Sequence, residues 1–178
     1  MAQSVWIGMV RAVNVSGTGK LPSTEFAAAC RAAGLTEVKT YLASGNVVFR
    51  ASVAERAILA ALESKLTEIL GKPAVVLLRT EQSLREAMAR NPFAHCEPSR
   101  TVICFLPDAA AMDAAQTATG RKSEEIAASG REIFVHYPDG IGESRLRLPA
   151  AERGTARNLN TVRKLADMAN ALDARRAR

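Results

Sequence analysis

The segment Arg11-Ala-Val-Asn-Val-Ser-Gly-Thr-Gly-Lys20 gathers residues suited to holding an anion: Arg11, Asn14, Gly17 and Lys20. A guanidinium and an ammonium attract phosphate, and glycine lets backbone N–H groups come close to it. A P-loop needs G-x-x-x-x-G-K-[ST] between a strand and a helix. With Gly19-Lys20 at the G-K pair, the first glycine position falls on Asn14. The hydroxyl position falls on Leu21, and Pro22 follows. The match fails at two essential positions, and no acidic Walker B strand end accompanies it. What remains is a flexible loop feeding a helix N-terminus, where free N–H groups and the positive dipole end suit an anion. The plain alternative is a turn whose glycines satisfy its geometry.

A second polar cluster is Arg157-Asn-Leu-Asn-Thr161, followed by Arg163 and Lys164. Asn158 or Asn160 caps the helix that begins there. Capping needs one side chain, so Arg157, the other Asn and Arg163 are surplus, and the surplus marks an anion or polar-ligand site. Ser44 and Asn46 flank Gly45 and read first as turn chemistry. In a ligand-binding role they present a hydroxyl and an amide at a strand end. The loop after the first strand and this hairpin are expected at opposite ends of the sheet, so that they share no small pocket unless the second subdomain bridges them.

Other chemistry finds little support. His95 and His136 lie far apart, with no HExxH or CxxC, so no metal is expected. Cys96 beside His95 lacks an orienting partner for a nucleophile. No G-x-S-x-G elbow or paired-carboxylate helix motif occurs. No cofactor is implied, and whether the chain is an enzyme stays open.

The elements that position these residues follow from periodicity. Residues 5–10 read as a short buried strand. Pro22 and Ser23 open a helix over Phe26 and Cys30 that stops at Gly34. Residues 38–42 and 47–50 read as strands of a hairpin. Ser52 with Glu55 makes a capping box for a helix carrying Ile58, Leu62 and Leu66 and ending at Gly71. A strand over 74–78 completes β-α-β-β-α-β, a ferredoxin-like split unit. The second half begins with a helix over 81–89 capped by Thr80, broken by Asn91-Pro-Phe. A strand over 101–106, an Ala-rich helix over 109–119 capped by Asp108, and a hairpin of 124–129 with 132–137 repeat β-α-β-β. A long connection over 138–153 leads to a final helix over about 159–172. The end, 173–178, reads as a frayed basic tail. The fold class is therefore α+β: two related ferredoxin-like subdomains, 1–79 and 80–178, packed together, with a C-terminal helix.

The formal charge is +6 and hydrophobic residues make up 48%, a globular profile with a bias toward acidic partners. Three irregularly spaced cysteines are no disulfide framework and suit a reducing compartment. Cys30 and Cys104 read as core thiols. The N-terminal apolar stretch is too short for a membrane span and has no leader pattern before it. A cytoplasmic protein without a membrane partner is expected. Aromatic residues are only 4%, too few for a base-stacking platform.

Three segments together, Arg11-Ala-Val-Asn-Val-Ser-Gly, Tyr41-Leu-Ala-Ser-Gly-Asn-Val-Val-Phe49 and Gly154-Thr-Ala-Arg-Asn-Leu-Asn-Thr-Val-Arg-Lys-Leu165, with Asn91-Pro-Phe93 between them, resemble the family called domain of unknown function 1697. The resemblance covers nearly the whole chain. It implies an α+β protein with two related subdomains and brings no established reaction. The family pattern has glycine where Ala12 and Ser16 stand, Gln where Ala43 stands, and an aromatic residue or Met where Leu159 stands. The expectation is a protein that binds a small, phosphate-bearing anion. Arg11, Lys20, Arg157 and Arg163 supply charge, and Asn14, Asn158 and Asn160 supply orientation. A nucleic-acid-binding module and a ligand-free interaction protein are the alternatives. A small anionic ligand is thus the favoured partner, with oligomeric state open.

Overall fold

The computed structural model describes residues 3–14 and 19–175. Its residues group into two compact units, Met1–Ser83 with Leu165–Arg178, and Leu84–Lys164. This division differs from the expected 1–79 and 80–178 mainly in the last helix, whose residues from 165 onward belong with the first unit.

The first unit holds β1 (Ser4–Val10), α1 (Ser23–Ala32), β2 (Thr36–Tyr41), β3 (Asn46–Ala51), α2 (Glu55–Leu70) and β4 (Val76–Arg79). The expected β-α-β-β-α-β order is present, and the strands lie β2-β3-β1-β4, all neighbours antiparallel. Alternation along the strands explains the two buried faces. Val47, Phe49, Val76 and Leu78 join Phe26, Cys30, Ile58, Leu62 and Leu66 of the two helices in one core. The alternate set, Ile7, Met9, Val48 and Leu77, is as deeply buried and shares its face with Arg50 and Arg79. Gly71 ends α2 as expected, its N–H donating to the Thr67 carbonyl. Ser52 does not cap this helix: Ala54 holds the N-cap position and no side chain bonds there. Ser52 stands two residues too early, because the first helical N–H groups, of Ala57 and Ile58, already donate to the Ala54 carbonyl.

The second unit holds most of α3 (Glu81–Arg90), then β5 (Thr101–Phe105), β6 (Glu125–Ser129), β7 (Glu132–His136), β8 (Thr155–Asn158) and the start of α4 (Leu159–Ala174). Thr80 caps α3 as expected, with a reciprocal pair: Ser83 N–H donates to Thr80 Oγ1 at 3.1 Å, and Thr80 N–H to Ser83 Oγ at 2.9 Å. The strand order is β6-β7-β5-β8. It repeats the first sheet with β5 to β8 in the places of β1 to β4.

Two expectations fail here. No helix forms over 109–119; that stretch makes isolated turns, with Thr117 and Gln116 N–H groups donating to the Asp113 carbonyl. Alanine favours helix, but short helices need an apolar stripe to bury. The one large apolar side chain there, Met112, is 93% exposed. The second miss is β8, hidden because its buried residues are Thr155 and Arg157 rather than apolar ones. The last helix extends to Ala174, so Asp173 belongs to it and not to a frayed tail; residues 176–178 lie outside the described ones.

Ala12 adopts φ +48, in the left-handed region where a Cβ is disfavoured. This accounts for the glycine in the family pattern at that position. Ala12→Gly is expected to stabilise the protein by about 0.5–1 kcal/mol in denaturant unfolding. A loss of stability would contradict the strain argument.

Candidate functional site

The ten sequence candidates divide between the units, and most of them are engaged in building the fold. Asn14, at φ +54, clamps its own loop. Its Nδ2 donates to the carbonyls of Leu21 at 2.9 Å and Ala43 at 2.6 Å, and its Oδ1 accepts from Leu21 N–H at 2.7 Å. Asn46 is fully buried and donates to the Tyr41 carbonyl and to Ser44 Oγ, both at 2.9 Å. Between them Gly45 has φ +76, and a Cβ there would sit 2.6 Å from Val13 Cγ2. Gly17 lies outside the described residues.

These contacts overturn the expectation that the loop after β1 and the β2–β3 hairpin lie at opposite sheet ends. β1 runs antiparallel to β3 with Met9 opposite Asn46, so the end of β1 meets the start of β3. Val10 N–H donates to the Gly45 carbonyl at 2.8 Å. The α2–β4 turn joins the same end: Arg11 N–H donates to the Val75 carbonyl at 2.9 Å, and Gly19 packs against Leu70. Three loops therefore meet at one pole of the first unit. Their side chains Arg11, Lys20 and Lys72 are exposed, and none has an ion-pair partner among the described residues. Segments 11–22, 41–46 and 71–75 contain no Asp or Glu. The adjoining α1 has Pro22 at its N-cap, no side-chain cap among the described residues, and Glu25 in its first turn. Lys72 was missed from the sequence. Its signal was the β-α-β-β-α-β order itself, which returns α2 to the end where β1 stops.

The Arg157 cluster sits differently. Arg157 is on β8 opposite Ile103 and only 8% exposed. Its guanidinium donates to Thr155 Oγ1 at 2.7 Å and the Ala156 carbonyl at 2.8 Å. Burial pulls its pKa down to about 10. Asn158 is the true N-cap of α4, accepting from Thr161 N–H at 2.9 Å. Asn160 and Arg163 are exposed on the helix. The expected surplus thus resolves into a buried arginine, a cap and two surface residues.

In the second unit the segments replacing the crossover helices, 106–124 and 137–154, meet at a Thr119–Arg147 bridge. They enclose a polar cavity of about 130 Å³ lined by Lys122, Glu124, Tyr137, Asp139, Glu143 and Ser144. The Ser144 hydroxyl and the Lys122 N–H both donate to the Glu124 carboxylate and hold it below the usual carboxylate range. Burial, then the Glu124 charge, pushes the Tyr137 phenol up. Among the described residues, no three His, Cys, Asp or Glu side chains converge to hold a metal ion. Cys30 and Cys104 are buried, and burial pushes the Cys30 thiol up to about 12, the state of an unreactive core thiol. No described helix is long and apolar enough to cross a membrane.

Fold and site together define a class: α+β proteins with two four-stranded antiparallel sheets of the same strand order and a C-terminal helix. The chain belongs to the family described as Protein of unknown function (DUF1697), whose model matches residues 3–134. The third motif, 154–165, lies beyond the matched part. Among solved structures the chain is similar to the conserved bacterial protein SP0830 from Streptococcus pneumoniae, with a TM-score of 0.75 and 18% identity over 94% of this chain and 99% of that one. That likeness speaks to the fold alone. No curated protein matches the chain. The family and the solved neighbour carry no assigned function.

Proposed function

We propose that the protein binds a small phosphate-bearing anion at the pole of its first unit. The observation that carries this reading is the meeting of three loops that bring Arg11, Lys20 and Lys72 and have no carboxylate of their own, so that the cations outnumber the neighbouring Glu25 of α1 and Glu63, which is engaged by the Val76 N–H. The N-terminus of α1, which has no side-chain cap among the described residues, adds N–H donors to that charge beside the exposed Glu25. The α4 terminus is a poorer site, because Asn158 already caps it. The strand order of the first unit supports a ferredoxin-like assignment. Free thiols at Cys30, Cys96 and Cys104 support a cytoplasmic location.

The test is calorimetric titration and thermal shift with inorganic phosphate and a panel of nucleotides. Binding raises the wild-type melting temperature by mass action. Arg11→Ala, Lys20→Ala and Lys72→Ala each lower affinity by about 1 kcal/mol, about fivefold, and each leaves stability within about 0.5 kcal/mol, because the side chains are exposed. Undiminished binding by the triple variant would refute this site. A nucleic-acid partner would use the same cations, and its affinity would fall steeply with salt, one counterion for each phosphate contacted.

A further inference from the structure

We propose that the same pole docks on the surface of an anionic phospholipid bilayer. Arg11, Lys20 and Lys72 take lipid phosphates, and Leu42 and Val75 enter the headgroup layer. The proposal rests on the anion-binding reading and names the source of the phosphate. It revises the expectation of no membrane partner, since peripheral docking needs no spanning helix.

The argument starts from two apolar side chains that the fold leaves outside. Leu42 is 54% exposed at the turn between β2 and β3 and has φ +58. A leucine in the left-handed region is strained, and here no burial repays the strain. Val75, 37% exposed, stands before β4, and its carbonyl holds the Arg11 N–H. β2 and β4 are the two edges of the sheet, so these apolar groups flank the row of loops. The contacts of Asn14 with Ala43 and of Arg11 with Val75 place Arg11 between them, with Lys20 and Lys72 on the adjoining turns. A free phosphate has no use for an exposed leucine. Single-stranded nucleic acid bound without sequence readout relies on stacked rings, and Tyr41, the aromatic residue of the 41–46 segment, is half-buried. A duplex, held by phosphate contacts alone, has no use for the exposed Leu42. Basic side chains next to exposed aliphatic ones match a negatively charged headgroup layer over hydrocarbon.

The experiment is flotation of the full chain with vesicles of phosphatidylcholine alone and of phosphatidylcholine mixed equally with phosphatidylglycerol. Binding to the anionic vesicles only, lost as salt is raised, is expected. Leu42→Asn is the decisive variant. Asparagine tolerates the left-handed region, so the hairpin keeps or gains stability while vesicle affinity falls about tenfold through the lost apolar contact. Lys20→Glu with Lys72→Glu abolishes binding. Failure of the wild type to float with anionic vesicles overturns the proposal, as does Leu42→Asn floating like wild type. Stabilisation by inorganic phosphate without vesicle binding overturns the lipid source and leaves the anion-binding reading standing. Vesicle binding unaffected by the lysine changes overturns both. Tight binding of a single-stranded oligonucleotide with no flotation assigns the pole to nucleic acid instead.

Discussion

Arg50→Ala is expected to destabilise the protein by about 2–4 kcal/mol in denaturant unfolding, through the cavity left and the hydrogen bonds lost, a large share of a typical domain's stability. Arg50 is 3% exposed on β3. Its Nε pairs with Glu37 at 2.5 Å, where β2 is irregular and Glu37 itself has φ +49. One terminal nitrogen donates to the Leu172 carbonyl at 2.6 Å, and the other lies 3.6 Å from Asp173. The Leu172 carbonyl is among the last four of α4, which have no partner within the helix, and a cation favours that end of the dipole. One side chain therefore secures both an edge strand and the end of the C-terminal helix. Truncation removes these bonds and leaves a cavity. Arg50→Met refills the volume without donors and recovers part of the loss. Faster hydrogen exchange over 165–174 accompanies the alanine change. A loss under about 0.5 kcal/mol would show that α4 is held by its apolar face alone.

The second large effect is at Gly154. A Cβ built there meets the Phe105 carbonyl oxygen at 2.5 Å, Leu106 Cδ2 at 2.7 Å and Cys104 Sγ at 3.0 Å. The leucine can turn aside. The Phe105 carbonyl belongs to β5, whose partner across the ladder is Thr155, so relief requires β8 to shift. Gly154→Ala is therefore expected to cost about 2–4 kcal/mol. Gly142→Ala is the control. It lies in the long connection with nothing within 4 Å and is expected to be neutral within about 0.5 kcal/mol. Equal effects at the two glycines in thermal or denaturant unfolding would show that the close approach at Gly154 does not matter.

Gly154, Arg157 and Asn158 come from one motif and serve one end, the placing of β8 and the start of α4. Asn14, Gly45 and Asn46 do the same for the loop and hairpin of the first unit. From sequence these residues look like ligand chemistry, because an amide or guanidinium that satisfies backbone carbonyls is the same group that grips a phosphate. Only the partners distinguish the roles, and those partners are seven to twenty-nine residues away for Asn14. The first unit was legible because periodicity, Pro22, Gly34 and Gly71 agree locally. The second was read less well for the opposite reason. Residues 109–119 have helix propensity without an apolar stripe, and β8 is a strand whose buried side chains are polar. Buried Arg50 carries no local mark, since its partners Glu37 and Leu172 are set by the tertiary fold.

Titration of isotope-labelled protein with inorganic phosphate, followed through backbone amide shifts, tests the placement of the anion most directly. The predicted result is a saturable set of shifts at residues 11–14, 20–26 and 72–75, with the amides of 158–163 unmoved. The largest shifts falling on 158–163, with the pole of the first unit silent, would contradict it and return the anion to the start of α4.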